Sequence, residues 1–209
     1  ARTLADYRDE AALATFARAV DVATLEFENV PVESVAFLER LLPVRPGSRA
    51  LAVAQDRLAE KSLARSLGVM TAEFAPVDDR AGLDAALARI GCPAVLKTTR
   101  MGYDGKGQAK IMVPADAASA LAAMNGQQAI LEAFVPFERE VSVIAARGPD
   151  GAFAAFDVTQ NEHRDHILHR SVAPARLPGA LAERAVAATR AIANSLDYVG
   201  VMAVEFFVL

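Results

Sequence analysis

The sequence has no tryptophan and one cysteine, and aromatic residues make up only 6%. A lone thiol, Cys92, forms no internal disulfide, so folding rests on packing and the chain suits a reducing, cytoplasmic setting. Gly91-Cys92-Pro93 precedes an apolar run, which reads as a small buried hydrophobe rather than a nucleophile. No apolar run reaches bilayer-spanning length and no signal peptide is visible, so no membrane partner is expected. Clusters of Lys and Arg are also lacking, and the net charge is −4. That balance argues against nucleic acid as a partner. What is present, 53% hydrophobic and 23% charged residues over 209 positions, is a globular composition for one large domain or two small ones.

The pattern alternates helices and strands. Asp9 to Val20 has helical spacing, Val22 to Phe27 reads as a strand, and Pro31 opens a helix to about Leu41. Residues 1–47 therefore look like the tail of an α/β domain. Ser48 can cap a short helix, and Gln55 to Leu67 is a second, ended by Gly68. Phe74 to Val77 is a strand and Asp79 to Ile90 a helix. Pro93 to Leu96 and Ala109 to Val113 are strands flanking a glycine-rich loop. A helix from Pro114 to Met124 follows, then a strand from Ala129 to Val135. Glu140 to Ala146 and Ala152 to Thr159 read as antiparallel strands, Asn161 to His166 as polar loop, and Ile167 to Ala173 as extended. Pro178 to Leu196 is a long helix. The final apolar run to Leu209 has the character of a central strand, which predicts a piece of a longer protein.

Chemistry concentrates in Lys97 and the loop Arg100-Met-Gly-Tyr-Asp-Gly-Lys-Gly-Gln108. Glycines 102, 105 and 107 let backbone amides approach a ligand, and Lys97 and Lys106 add positive charge, so a polyphosphate is the natural guest. The spacing is not that of a Walker A loop. Nor is it a dinucleotide fingerprint, because both open a helix and this loop opens a strand. A hairpin lid that folds over phosphates is the reading adopted.

Other acids leave alternatives open. Glu205 stands alone in Val201-Met-Ala-Val-Glu-Phe-Phe-Val-Leu209, as a Mg²⁺ ligand or as half of an ion pair with Arg or Lys. Alternation puts Met202, Val204 and Phe206 on one face and Ala203, Glu205 and Phe207 on the other. Glu132 at a strand end and Glu140 after it are either solvated acids or acceptors for an adenine amine and two ribose hydroxyls. His163, His166 and His169, with Asp165, lack common zinc spacing, leaving ligand contact or plain exposure.

Taken together, the motifs resemble the ATP-grasp superfamily and, within it, the N5-carboxyaminoimidazole ribonucleotide synthases. The match rests on Thr24-Leu-Glu-Phe-Glu-Asn-Val-Pro31, Gln55-Asp-Arg57 with Lys61, Gly102-Tyr-Asp-Gly-Lys-Gly-Gln108, Glu132, Glu140-Val-Ser142, Asn161-x-His163, Ser171-x-Ala-Pro174 and Gly200-Val-x-x-x-Glu205, in order. The resemblance implies an α/β (α+β) protein of ATP-grasp fold. The tail of a Rossmann-like pre-ATP-grasp domain (1–47) would be followed by linking helices (48–70). A small lobe with the lid (71–127) and an incomplete large lobe (128–209) would grip ATP. It implies ATP contacts from Arg57, Lys97, the lid residues Gly102, Tyr103, Asp104, Gly105, Lys106, Gly107 and Gln108, and Glu132, Ala133, Phe134, Val135, Glu140 and His163. Glu205 would carry Mg²⁺, or Mn²⁺ in its place; the family's second metal carboxylate lies outside this sequence. Tyr103, Asp104 and Lys106 would face the carboxylation site and Glu26 the ribonucleotide. The implied reaction is ATP- and bicarbonate-dependent carboxylation of aminoimidazole ribonucleotide in purine biosynthesis, by a homodimer. Another ATP-grasp carboxylate–amine ligase and a non-catalytic ATP-binding module remain the alternatives.

Overall fold

A computed structural model describes residues 2–102, 106–164 and 167–209. The chain begins with α1 (Glu10–Ala17), α2 (Val32–Glu39), α3 (Ser48–Ala54) and α4 (Arg57–Ser66). Aspartates start two of these helices: Asp9 accepts from the Ala12 amide, and Asp56 from those of Leu58 and Ala59. Gly68, at φ 75°, ends α4, with Val69 N–H reaching back to the Ala64 carbonyl. Val35, Leu38, Leu42, Val44 and Leu51 form the first core. The strand expected over Val22–Phe27 is absent: only Ala23 pairs, in an isolated parallel bridge to Val44. Its apolar residues still bury, because Ala23 and Leu25 pack on that core without a second ladder.

The first sheet contains β1 (Phe74–Val77), β2 (Ala94–Thr98), β3 (Gln108–Ile111) and β4 (Ala129–Ala133), between which lie α5 (Arg80–Ile90), a short 3₁₀ turn (Pro114–Asp116) and α6 (Ala117–Ala123). Its order is β1-β4-β2-β3 and every pairing is antiparallel. Leu96, Ile111 and Leu131 point to one face and pack on Leu83, Leu87 and Met124 from the helical layer. Period-two alternation then turns Lys97 and Glu132 to the opposite face. Cys92 is half-buried against this core, as its setting predicts.

The second sheet is built on β5 (Arg139–Arg147). One edge of β5 pairs along its whole length with β9 (Gly200–Val208). The other edge is shared by β6 (Phe153–Ala155) and β7 (Thr159–Arg164), and β8 (Ile167–Val172) extends the sheet beyond β7. Val141, Val143 and Ala145 bury beneath α7 (Gly179–Ser195), with Phe206 and Val208 beside them. The alternation expected for β9 is therefore observed. Among the described residues β9 pairs on one edge only. The polar stretch 161–164 is strand rather than loop, because one face of β7 serves a polar site instead of a core. No helix among the described residues is long and apolar enough to cross a membrane.

Candidate nucleotide site

The first cluster lies on the sheet face opposite α5 and α6. Lys97 faces Ile130, and Glu132 faces Val95, so Lys97 and Glu132 are diagonal neighbours. Lys97 Nζ donates to Glu132 Oε2 at 2.9 Å, and Lys61 Nζ from α4 lies 3.5 Å from the same oxygen. The Glu132 side chain is only 8% exposed. Its other oxygen, Oε1, is buried and has no hydrogen-bond partner among the described residues. One carboxylate thus compensates two ammonium groups through a single oxygen.

The loop root is tied to this cluster. Arg57 N–H donates to the Thr99 carbonyl at 2.9 Å, and Arg57 Nη2 to the Gly102 carbonyl at 2.7 Å. Arg100 Nε reaches Asp56 at 3.4 Å. Across the hairpin mouth Thr98 N–H donates to the Gly107 carbonyl. Gly107 needs to be glycine: its φ is 67°, and a Cβ would sit 2.6 Å from Thr98 Oγ1. Lys106 is exposed beyond it, and Gln108 begins β3. Tyr103, Asp104 and Gly105, expected in the lid, lie outside the described residues, as do Asp165 and His166.

From Glu132 the chain runs through Ala133, Phe134 and Val135 to β5. Lys110 Nζ lies 5.9 Å from the Phe134 ring centroid, and Phe137 stacks on Phe207 with centroids 4.2 Å apart. Phe207 is paired with Glu140, so this connection rests on the polar face of the second sheet.

That face holds the second cluster. Glu140, Ser142, Asn161, His163 and Glu205 come from β5, β7 and β9, with a register shift between Glu162 and His163. Asn161 donates to Ser142 Oγ and accepts from Ser171 Oγ at 2.8 Å, which fixes its orientation. His163 Nδ1 is 3.2 Å from Glu140 Oε1, and one ligand atom from each of Glu140, His163 and Glu205 lies within 4.8 Å of the others. Burial and the neighbouring Glu205 charge raise the Glu140 pKa above the ordinary carboxylate range, against smaller opposing effects of His163 and Asn161. Glu205 is exposed, on the open face it shares with Ala203 and Phe207. Among the described residues it forms no ion pair with Arg or Lys. Glu26 is also exposed, on the turn whose Glu28 and Val30 carbonyls accept from Gln55. His169 is exposed on β8.

Residues 62–209 match the ATP-grasp domain and residues 1–55 the ribonucleotide synthetase preATP-grasp domain. The chain belongs to the ATP-grasp family. It is 49% identical over 204 residues to the N5-carboxyaminoimidazole ribonucleotide synthase of Pseudomonas aeruginosa, covering 97% of this chain and 56% of that protein. The corresponding synthetase of Thermus thermophilus superposes with a TM-score of 0.93 at 45% identity, covering 99% of this chain and 56% of the other. The Staphylococcus aureus synthetase, solved with ADP, gives 0.90 at 32% identity, covering 97% and 54%. The chain spans about half the length of these ATP-grasp relatives. Sequence reasoning did not assign a role to Lys61, Ser142 or Asn161. Lys61 stands one helical turn after Arg57, and Asn161 alternates with His163, so both signals were present.

Proposed function

We propose that this chain carries the nucleotide-gripping part of an N5-carboxyaminoimidazole ribonucleotide synthase. The overall reaction is then carboxylation of 5-aminoimidazole ribonucleotide with bicarbonate and ATP. The observation that carries the reading is Glu132: Oε2 holds the Lys97 and Lys61 ammoniums while Oε1 is buried without a donor. An adenine amino group supplies that donor, and Lys97 is left beside the phosphates. The Ala133–Val135 backbone and the phenylalanines after Glu132 flank the base. Glu140 accepts the ribose hydroxyls and His163 borders the nucleotide.

Gly102 to Gln108 forms the lid, anchored through Arg57 and closing over the phosphates. Bicarbonate attacks the γ-phosphorus and ADP leaves; carboxyphosphate breaks down to carbon dioxide and inorganic phosphate, and the imidazole amine bonds to the carbon and loses a proton to give the carbamate. The chain's part is position and charge compensation, with Lys97 and lid amides facing the transferring group. Lid closure keeps water from the carboxyphosphate. Tyr103, Asp104 and Lys106 are assigned to the carboxylation side, with Asp104 to orient the amine or accept its proton, and Glu26 to the ribonucleotide side.

Glu205 fits Mg²⁺: it is an exposed carboxylate beside a second acid and pairs with no Arg or Lys among the described residues. Bound there, the ion would neutralise phosphate charge. The parent enzyme is taken to be a cytoplasmic homodimer, which light scattering after gel filtration checks. The deciding assay is ADP release by the full-length protein, expected only when aminoimidazole ribonucleotide and bicarbonate are both supplied. Release indifferent to the imidazole would reject the proposal.

A further inference from the structure

We propose that Gln55 is a positioning residue for the ribonucleotide: its side-chain amide clamps the turn of residues 24–30, which carries Glu26, against the start of α4 and the root of the lid. That the turn serves the ribonucleotide rests on the function proposed above; the clamp itself does not.

Little else holds the turn. At one end Ala23 donates to the Pro43 carbonyl and accepts from the Arg45 N–H. At the other Val30 is buried, and Leu25 packs on the first core between them. Among the described residues, positions 24–30 make no backbone–backbone hydrogen bond. Their hydrogen bonds come from Gln55, whose Nε2 donates to the Glu28 carbonyl and, at 2.6 Å, to the Val30 carbonyl. An amide nitrogen carries two protons, and both are used. Two carbonyl oxygens admit only the nitrogen end of the side chain, so its orientation is fixed. Gln55 has a firm base: it closes α3, its own N–H bonds the Leu51 carbonyl, and Leu51 belongs to the core.

The residues after Gln55 give the clamp its consequence. Asp56 caps α4 and receives Arg100, and Arg57 holds the Thr99 and Gly102 carbonyls at the lid root. Three successive residues thus hold the turn, the helix and the lid. The turn also adjoins the nucleotide cluster in charge, since Glu60 on α4 interacts electrostatically with both Glu28 and Glu132. Glu26 is exposed on a segment with few bonds of its own. Without the amide it would sample many positions; with it, less ordering remains for a ligand to impose. Glutamate at position 55 would keep the shape but turn oxygens toward two carbonyls, so the role belongs to the donor and not to the volume.

The test uses the full-length protein with Gln55→Ala and Gln55→Glu, and it has two readouts. The first needs no substrate. Glu26 and Glu28 are exposed, so a glutamyl endopeptidase reports opening of the turn through cuts after either residue, located by mass spectrometry. Both variants should be cut there about tenfold faster than wild type, with other sites unaffected. Equal rates, or a slow rate restored by Gln55→Glu, overturn the clamp. Cuts spread over the whole chain would show that Gln55 serves the fold at large, and would overturn it too. The second readout is kinetic. The KM for aminoimidazole ribonucleotide should rise about tenfold in both variants, while the Kd for ADP and the kcat at saturating ribonucleotide stay at wild-type values. A faster cut with an unchanged KM, or an ADP affinity that falls equally, overturns the positioning role. Wild-type ADP release that ignores the ribonucleotide would instead count against the proposed function, and the proteolysis result would still decide the clamp.

Discussion

Lys97 and Lys61 converge on one oxygen, and this sharing sets what each is worth. Lys97 is the closer at 2.9 Å. Replacing it with Ala removes the charged donor proposed to face the phosphates, with an expected loss in ATP affinity of about 1.5–3 kcal/mol by calorimetry. An unchanged Kd would contradict its placement. Glu140 gives a prediction in pH. Its pKa is raised in the folded chain, by burial first and Glu205 second. Below the ordinary glutamate range the folded and unfolded chains are both protonated there. As pH rises from that range through the higher folded value, the unfolded chain loses its proton first and stability falls. Urea unfolding should show this decline in wild type relative to Glu140→Gln, the gap widening upward from about pH 4.5 and then levelling. A gap independent of pH would show that Glu140 ionises normally. These partnerships were only partly legible in the sequence. Lys97, Glu132, Glu140 and Glu205 stand out as charges in apolar strands, but their pairings depend on register, which a single strand does not encode.

At the scale of elements, the hairpin mouth and the start of α4 are one construction. Asp56 caps the helix and also receives Arg100, while Arg57 reaches Thr99 and Gly102. Asp56→Ala should cost about 1 kcal/mol of unfolding free energy, the usual worth of such a cap, and should also weaken ADP binding. A stability loss with unaltered ADP affinity would separate the cap from the lid. Gly107→Ala should be worse for binding than for folding, because its φ of 67° and the 2.6 Å approach to Thr98 concern only the hairpin. Calorimetry and thermal melting measure the two effects independently. Helices were the legible elements, since aspartate caps, Gly68 and apolar spacing mark their ends. β7 was not: Thr159-Gln-Asn-Glu-His-Arg164 has no apolar face, and it is held as strand by β5 and β8. Val22–Phe27 failed in the opposite sense, with strand-like composition but no long partner.

For the molecule as a whole, the two sheets meet through the connection that leaves Glu132 and stacks Phe137 on Phe207. A nucleotide held by both clusters, as proposed, would bind only the folded chain. ADP with Mg²⁺ at one hundred times its Kd should therefore add about 2.7 kcal/mol, raising the melting midpoint by several degrees. No rise would mean that the described clusters do not take the ligand together. The order of elements could be read from spacing, whereas the meeting of β4 and β9 around one connection needed coordinates. Within this frame α4 acts as a lever with two fingers. Arg57 grasps the flap's first carbonyl, and one turn later Lys61 touches the acid proposed to sense the base. A donor arriving at that acid, as proposed for the purine amine, would therefore meet the same helix that holds the flap's first carbonyl, and the two ends of the proposed site share one rigid support.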